Sequence, residues 1–492
     1  MHKKSQSLLA PLLYCIVVLI ASWFTYMKNY DNPQALFWDE NYHIAAATKY
    51  INGVYFQESH PPLGKLLIAV GEVMFGKNTK LDTTYFLETD HVKEVPKGYS
   101  FSGVRFFPAL LGWLSVALFY LVLLNILGNP HVSFFGTLPM LFENGLIVHF
   151  RGAMLDGMQV FFVLLATLYF VFILKKEKPL SSIQYFTLGL LVSLSISIKV
   201  TSAVLLLLFP TLFWKEHPLK IFHLQPKKTL ELILTRVPSS ILGLLIPFFC
   251  IWYLHFSIAA EVHSKRNYNA SPAMSSILVK KQTSHILNLP LMISEALAYS
   301  NDFNKGVREL KICSPDENGS SPLSWIVGAK TINYRWEKVD GGKVKYLYLV
   351  FNPVVVTLSI FGLICGAVLV LSHFIFDLPL KDKNQFSIIA MFLALWFAYM
   401  GAVYQIPRVM YLYHYFVPYL FSLLLTVTVF HYVFKEYYSR NTLVIALALI
   451  LISAQIALTY SFFSPLTYYE PISAPEFHRR AWLVAWKMEP IL

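Results

Sequence analysis

The sequence predicts an all-α, polytopic membrane protein with about eleven transmembrane helices. Two observations carry this prediction. Of the 492 residues, 56% are hydrophobic and only 14% are charged, whereas an ordinary soluble domain is about 25% charged. The hydrophobic residues also form continuous runs that are long enough to cross about 30 Å of hydrocarbon. A soluble fold of this length would need more polar surface than the chain can supply. A membrane β-barrel does not fit either, because its strands alternate apolar and polar residues in segments of about 10 residues.

The first apolar run, Leu8–Met27, follows a short basic start, as a signal peptide does. No small-residue cleavage site follows it, and Trp23 and Tyr26 are typical interface anchors. We therefore expect it to be retained as the first span. Ten further apolar runs are predicted spans: Arg105–Leu127, Val132–His149, Gly157–Leu174, Ile183–Ile198, Val200–Trp214, Ile233–Phe256, Tyr348–His373, Phe386–Val403, Tyr411–Phe434 and Leu443–Phe463.

Basic residues are distributed unevenly among the predicted loops. The short turns on one side hold only Arg151, Lys199 and Arg408. By the positive-inside rule, this asymmetry places the N-terminus in the cytoplasm and the C-terminus outside. The loops predicted to be cytoplasmic hold Lys175, Lys176, Lys178, Lys215, Lys220, Lys227, Lys228, Lys381, Lys383, Lys435 and Arg440.

The long polar segments all fall on the predicted external side. We expect three modules: a transmembrane catalytic module of seven spans over residues 1–256, an external loop over 257–347, and a four-span module with an external tail over 348–492. A concentration of polar residues on one side of the membrane is typical of an enzyme that works at a membrane face. A transporter would concentrate polar residues at mid-membrane and often shows an internal repeat.

The charge balance of +12 indicates basic loops beside acidic lipid rather than a nucleic-acid partner. The four cysteines form neither a disulfide framework nor a zinc-ligand spacing. We therefore expect no cofactor and a metal-independent reaction.

Two adjacent carboxylates, Asp39 and Glu40, follow the first span. A solvated loop pair is one interpretation; the other is a general base beside a partner that tunes it. Twenty residues later, the segment HPPLGK contributes His60 and Lys65, a proton carrier and a cation at the start of a predicted helix.

Ionisable groups recur at the external ends of other spans, where burial without a partner is costly. Snorkelling explains Lys199 and Arg408 equally well, and an internal ion pair explains Arg151 with Asp156. Their common location favours a site that holds a phosphate leaving group opposite a hydroxyl nucleophile. The candidates at these ends are Arg105, Arg151, Asp156, Lys199, Arg408, Tyr411 and His414.

Several blocks in this order resemble the protein O-mannosyltransferases, integral membrane enzymes of the C-type glycosyltransferase fold. The similar blocks are Phe37–Glu40, Gly53–Glu72, Val104–Gly112, Glu143–Phe162, Ser195–Thr201, Phe351–Val355, Arg408–Pro418 and Arg479–Trp486. One departure is Tyr42, which stands where the family usually has a histidine; His43 follows it. The external loop of about 90 residues is too short for the family's β-trefoil, and this favours a shorter prokaryotic member in a bacterial plasma membrane.

The resemblance implies a polyprenyl-phosphate sugar donor, most simply mannose, and a Ser or Thr hydroxyl of a protein as acceptor. It implies inversion at the sugar, with Asp39 as general base and Glu40 orienting the acceptor or the sugar. Arg105, Lys199 and Arg408 are then candidates for the donor phosphate, with His60 assisting. Two alternatives remain: a transferase of the same fold with another sugar or with a lipid A or cell-wall glycan acceptor, and, more remotely, a transporter of lipid-linked sugar.

Overall fold

The computed structural model describes residues 8–216, 230–263, 270–312, 314, 317–438 and 440–491. Lys220, Lys227 and Lys228 of the predicted cytoplasmic loops lie outside the described residues, as does Cys313. The chain is mainly helical within these ranges, so the all-α prediction is confirmed.

The N-terminal part is a helical bundle with two short helices beside it. Helix α1 (Leu9–Ser22) continues as a π-helical turn, Trp23–Met27, and leads into α2 (Glu40–Ile51) and α3 (Leu63–Phe75). The remaining helices of this part are α4 (Phe106–Leu127), α5 (Pro130–Leu141), α6 (Asn144–Phe150), α7 (Asp156–Leu174), α8 (Ser182–Ile196), α9 (Leu208–Glu216) and α10 (Val237–Ile258). Short 3-10 or π-helical segments cover Thr84–Leu87, Val200–Leu207 and Leu232–Arg236.

The middle segment carries three helices of different length and the first two strands of a small sheet. Its elements are α11 (Pro272–Val279), the turn Ile286–Asn288, α12 (Leu289–Gly306), α13 (Pro322–Trp325), β1 (Ile332–Val339), the turn Asp340–Gly342 and β2 (Lys343–Leu349). β1 and β2 are antiparallel from Ile332↔Leu349 to Val339↔Lys343. Gly341 and Gly342 have φ of 75° and 69°, which suits a tight turn between twisted strands.

The C-terminal part holds four long helices and the third strand. Its elements are α14 (Pro353–Phe376), α15 (Lys383–Tyr404), the turn Leu412–Tyr415, α16 (Phe416–Phe434), α17 (Thr442–Thr467), β3 (Pro471–Ile472), α18 (Ala474–His478) and the turn Val484–Trp486. β3 pairs antiparallel with β2, so the chain end completes a three-stranded sheet at the N-terminal end of α14.

Eight helical segments of the described chain are long and apolar enough to cross a membrane, so the predicted count of eleven is not confirmed. They are Leu9–Met27, Phe106–Leu127, Asp156–Leu174, Ile233–Ile258, Pro353–Phe376, Lys383–Tyr404, Leu412–Phe434 and Thr442–Thr467. The other three predicted spans correspond to shorter or interrupted helices. The run from residue 132 to 149 breaks at Glu143, whose extended backbone and side chain cap α6.

The predicted start of the eighth span at Tyr348 is wrong, because Tyr348 belongs to β2. The helix begins at Pro353, where the Asn352 side chain accepts a hydrogen bond from Val354 N at 3.1 Å. Continuous hydrophobicity runs through the strand and the helix, so hydropathy alone does not mark this boundary.

Close packing between α8 and α10 depends on small residues. A Cβ at Gly189 would lie 2.6 Å from Ser240 O, and one at Gly243 would lie 2.2 Å from Phe186 O. Glycine at both positions lets the two backbones approach, which is a common device between helices in a membrane.

Basic residues gather at the bundle end formed by the C-termini of α7, α9 and α16. Lys215 Nζ donates to Lys176 O at 2.6 Å, and Lys435 Nζ lies 3.2 Å from Asp382 Oδ2. The opposite end, where α7 and α16 begin, carries the short helices α2 and α3. The functional candidates lie at that second end.

Candidate active site

Chain segments that are far apart in sequence enclose one cavity at the end of the bundle where α7 begins. Asp39 directly precedes α2, and Asp156 is the first residue of α7. Lys199 lies in the extended link after α8, and Arg408 lies in the link between α15 and the turn Leu412–Tyr415. These residues are polar ends of apolar helices, so helix packing brings their side chains together.

The cavity has two adjoining lobes that share Asp156, Lys199, Arg408, Tyr413 and His414. The Asp39 lobe has a volume of about 250 Å³ and the helix lobe about 380 Å³. The Asp39 lobe is lined further by Asp39, Tyr42, His43, Glu58, Asp90, Tyr299 and Phe303. The helix lobe is lined further by Gln159, Val200, Thr201, Tyr399, Ile406, Phe416 and Val417.

Asp39 is half-buried at the wall of its lobe and receives a hydrogen bond from the Tyr413 hydroxyl, with 3.0 Å between Oδ2 and the donor. Burial raises the pKa of the Asp39 carboxyl above its ordinary value. The Tyr413 hydrogen bond and the charges of Lys199 and His149 oppose this shift and lower the pKa. The group is therefore a stronger base than an exposed aspartate while it remains accessible from the cavity.

A chain of buried hydrogen bonds fixes Lys199. Lys199 Nζ lies 2.8 Å from Asp156 Oδ1, and His149 Nε2 lies 2.9 Å from Asp156 Oδ2. His149 Nδ1 is in turn 2.6 Å from the Tyr334 hydroxyl of β1. Asp156 thus holds the ammonium group at the cavity wall, and this hydrogen bond uses one of the three N–H donors of Lys199.

Arg408, His60 and His414 complete the shared wall of the cavity. No carboxylate of the described residues pairs with Arg408, which is half-buried. Burial lowers the pKa of His60 well below its ordinary value, and the charges of Lys199 and Lys65 add to this shift. His60 is therefore neutral near pH 7 and acts as a hydrogen-bonding group rather than a cation.

Tyr411 and His414 also line the cavity. Tyr411 lines the Asp39 lobe and packs edge-on against Trp38, with ring centroids 5.2 Å apart. The His414 ring stacks on Tyr413 at 4.5 Å and its Nδ1 lies 3.2 Å from Tyr411 N. The segment from Tyr411 to His414 is therefore held rigidly at the cavity.

Glu40 and Arg105 are not part of this cavity, which corrects two sequence predictions. Both side chains are fully buried and form an ion pair with 2.6 Å between Arg105 Nε and Glu40 Oε1. All five N–H donors of Arg105 are used, two by Glu40 and three by the carbonyls of Asp31, Pro33 and Ala35. Arg105 has no donor left for a phosphate, and Glu40 has no access to an acceptor or a sugar.

Two further candidates lie outside both lobes. Lys65 is buried behind the cavity wall in an ion pair with Glu58. Arg151 does not pair with Asp156; its guanidinium lies 4.7 Å from the centre of the Tyr468 ring and donates to Asn29 O. Both cations therefore support neighbouring segments instead of lining the cavity.

Sequence reasoning missed several residues of the site. Tyr413 and His149 contact the predicted base and its neighbours, and Tyr334 comes from a loop strand that carries no motif. His43 lines the Asp39 lobe, 7% exposed, and its Nδ1 has no hydrogen-bond partner among the described residues. The spacing of Asp39 and His43, one helical turn apart, was the available signal for His43.

Two family models match most of the chain. One, described as dolichyl-phosphate-mannose-protein mannosyltransferase, matches residues 16–263, just over half of the 492 residues. The chain belongs to the protein O-mannosyltransferase family. A second model, the C-terminal four-transmembrane region of protein O-mannosyltransferase, matches residues 300–486 of this family member.

Two of the sequence relatives in this family are mannosyltransferases of a yeast and a fish. A dolichyl-phosphate-mannose–protein mannosyltransferase of Candida albicans is 31% identical over 163 residues, which cover 33% of this chain and 17% of that protein. Protein O-mannosyl-transferase 1 of Danio rerio is 33% identical over 155 residues, which cover 31% of this chain and 21% of that protein. The matched segments thus span about a fifth of those relatives.

The fold is similar to that of a solved family structure. The protein O-mannosyltransferase Pmt1-Pmt2 complex of S. cerevisiae, determined with its sugar donor bound, aligns with a TM-score of 0.78 and 15% sequence identity. The alignment covers 98% of this chain and 93% of the yeast chain. The predicted C-type glycosyltransferase fold is therefore confirmed.

Proposed function

We propose that this protein transfers mannose from a polyprenyl-phosphate carrier to Ser or Thr hydroxyls of proteins at the outer face of the membrane. Membership of the protein O-mannosyltransferase family supports mannose as the sugar, polyprenyl phosphate as its carrier and a protein hydroxyl as the acceptor. The single observation that carries the mechanism is the composition of the cavity: Asp39 lies in the same space as two cations, Lys199 and Arg408, and no cation of the described residues forms an ion pair with it. The other carboxylates of the lining, Glu58, Asp90 and Asp156, form ion pairs with Lys65, Lys49 and Lys199.

This distribution of charge suits displacement of a phosphate by a hydroxyl. Asp39 accepts the proton of the acceptor hydroxyl while the oxygen bonds to the anomeric carbon of the sugar. The bond from that carbon to the phosphate oxygen breaks, and polyprenyl phosphate leaves with its electron pair. Attack from the side opposite the phosphate inverts the configuration at the anomeric carbon.

Lys199 and Arg408 are the groups that stabilise the leaving phosphate. Their charges lie where the negative charge of the leaving group develops, which is the arrangement that favours a transition state over a ground state. Because a phosphate leaves readily when cations neutralise its charge, the reaction needs only one carboxylate, the base, and no second carboxylate as an acid. A glycosidase, in contrast, uses a second carboxylate as acid or nucleophile.

The helix lobe suits the lipid part of the donor. Val200, Ile406 and Val417 line it beside the shared cations. Val200 and Ile406 are also 56% and 38% exposed, so this wall opens towards the surface of the bundle. A phosphate at Lys199 and Arg408 can therefore leave its prenyl chain among apolar helix surfaces.

The distribution of basic residues supports an external active site. Lys215 and Lys435 lie at the bundle end opposite the cavity. By the positive-inside rule, this distribution favours a cytoplasmic location for that end and an external location for Asp39. We place the protein in a bacterial plasma membrane, because the external loop of about 90 residues is too short for the β-trefoil of the family.

A direct assay tests the activity. Purified protein in detergent is incubated with radiolabelled polyprenyl-phosphate-mannose and a peptide rich in Ser and Thr. We expect label in the peptide and release of polyprenyl phosphate in equal amounts. A matched peptide with alanine at every Ser and Thr should stay unlabelled. Transfer to lipid A or a cell-wall glycan, with no transfer to peptide, would contradict the proposed acceptor.

A further inference from the structure

The Tyr413 side chain contacts both halves of the cavity. Its hydroxyl donates to Asp39 Oδ2 at 3.0 Å, and no described residue donates to Asp39 Oδ1. Its ring stacks on the rings of His149 and His414, with centroid distances of 5.0 and 4.5 Å. Lys199 Nζ lies 5.4 Å from the centre of the same ring.

Neighbouring rings fix the position of Tyr413, which is only 6% exposed. Trp38 packs edge-on against it at 6.3 Å, and Tyr411 stacks on it at 5.8 Å. Trp38 directly precedes Asp39 in the chain, so one aromatic cluster holds both the tyrosine hydroxyl and the loop that carries the carboxylate. A hydroxyl held in this way restricts the rotation of the Asp39 side chain.

We propose that Tyr413 is a positioning residue for Asp39: its hydroxyl holds Oδ2 and thereby directs Oδ1 to the acceptor hydroxyl. The proposal rests on the proposed function, in which Asp39 is the general base. A base must lie within hydrogen-bond reach of the proton that it takes, and small displacements cost much of the rate. Tyr413 acts through Asp39 and makes no bond with the reacting atoms.

The hydroxyl has a second consequence, on the proton affinity of the base. Burial raises the pKa of Asp39, and the hydrogen bond from Tyr413 is the strongest of the influences that lower it. Other charged or titratable groups face Asp39 from the surrounding elements. Lys199 and His149 lower its pKa and Asp156 raises it, while Tyr42, His43, Glu58 and Tyr411 line the same lobe.

The pH profile of Tyr413→Phe tests this role. The substitution removes the hydroxyl and keeps the ring, so stacking on His149 and His414 persists. Without the hydrogen bond the pKa of Asp39 rises, and the acid limb of kcat/KM should move to higher pH by about one to two units. Activity should recover towards the wild-type value as the pH is raised, apart from the loss due to poorer orientation.

Tyr415→Phe is the matched control. Tyr415 lies two residues further along the same turn, is buried, and receives a hydrogen bond from Trp396 Nε1 at 3.2 Å, outside the cavity lining. The Tyr415→Phe substitution also removes a buried hydroxyl, so a general effect of such a loss on folding would appear in both variants. We expect the acid limb of Tyr415→Phe to coincide with that of the wild type.

A double-mutant cycle with Asp39→Asn separates the possible outcomes. If Tyr413 acts through Asp39, Tyr413→Phe should lower the residual rate of Asp39→Asn by less than twofold, although it lowers the wild-type rate. Equal losses in both backgrounds, or an unmoved acid limb, would overturn the role of Tyr413 and leave Asp39 as the base. Wild-type turnover by Asp39→Asn would instead overturn the proposed mechanism itself. Circular dichroism and thermal melting of each variant identify any loss that is due to unfolding.

Discussion

Arg105 and Glu40 form a bidentate ion pair in the interior of the protein, with contacts of 2.6 Å from Nε to Oε1 and 2.8 Å from Nη2 to Oε2. Glu40 Oε1 also accepts a hydrogen bond from Ala153 N at 2.7 Å. The pair thus joins the start of α2, the start of α4 and the link before α7. Glu40 directly follows Asp39, so it fixes the backbone from which the cavity carboxylate projects.

Glu40→Gln should destabilise the protein rather than remove a catalytic group. Loss of one partner leaves the Arg105 guanidinium buried without its counter-charge, a change that typically costs about 3–5 kcal/mol. We expect a lower melting temperature in detergent and less folded protein. Donor affinity per folded molecule should stay near the wild-type value.

The exposed Glu177, at the opposite end of the bundle, provides the control, because Glu177→Gln should leave the melting temperature unchanged. A Glu40→Gln variant that melts like the wild type but has lost acceptor binding would restore the role that the sequence suggested for Glu40.

Asp39 and Glu40 show why the sequence could predict which segment lies at the cavity but not the role of each residue within it. Adjacent residues at a helix start point in different directions, and the direction depends on partners that are distant in sequence. Tyr413 is 374 positions from Asp39 and Arg105 is 65 positions from Glu40. Sequence motifs show that two carboxylates are present. Only the packing of the folded chain shows that Asp39 lines the cavity and that Glu40 pairs with Arg105.

The apolar runs were predictable because membrane burial acts on each helix separately. Features that depend on tertiary contacts were not. The hairpin from Ile332 to Leu349 lies in a segment that sequence patterns treated as loop and span, and the break at Glu143 interrupts a continuous apolar run. Tyr334 reaches His149 only because this hairpin packs against α6.

Lys199 and Arg408 should bind the donor phosphate. A charge-assisted hydrogen bond contributes about 1.5–3 kcal/mol, so Lys199→Met and Arg408→Ala should each weaken donor affinity by about 10- to 100-fold. Arg408→Lys should retain part of this affinity, since the charge remains but the paired N–H geometry is lost. Titration of the purified variants with polyprenyl-phosphate-mannose measures the effect.

Arg440→Ala is the matched control, because Arg440 is exposed at the other end of the bundle and should not influence donor affinity. Unchanged donor affinity in both Lys199→Met and Arg408→Ala would show that the phosphate binds elsewhere.

The orientation of the chain can be tested with single cysteines in a variant that lacks the four native ones. Asp340 lies in the exposed turn between β1 and β2, and Lys178 lies exposed between α7 and α8. Asp340→Cys should react with an impermeant thiol reagent added to intact cells, and Lys178→Cys should react only after permeabilisation. The reverse pattern would place Asp39 on the cytoplasmic side and contradict the proposed site of transfer.

Asp39→Asn should abolish most turnover while donor binding survives. The amide keeps the shape of the side chain and can still accept the Tyr413 hydrogen bond, but it does not take up the proton of the acceptor hydroxyl. General-base catalysis typically contributes about 10²- to 10⁴-fold, so we expect a loss of that order in kcat with donor affinity near the wild-type value. Asp340→Asn, at an exposed position, should retain full activity.

The pH dependence of the rate is an independent test of Asp39 as the general base. Burial raises the pKa of Asp39, so the wild-type rate should fall with decreasing pH at values above the ordinary aspartate pKa of about 3.9. The fall occurs because protonation removes the base, and the residual activity of Asp39→Asn should lack this acid limb. Loss of both donor affinity and thermal stability in Asp39→Asn would indicate a structural carboxylate instead. Turnover near the wild-type level would show that another group accepts the proton, because no rearrangement of the cavity converts the asparagine amide into a base.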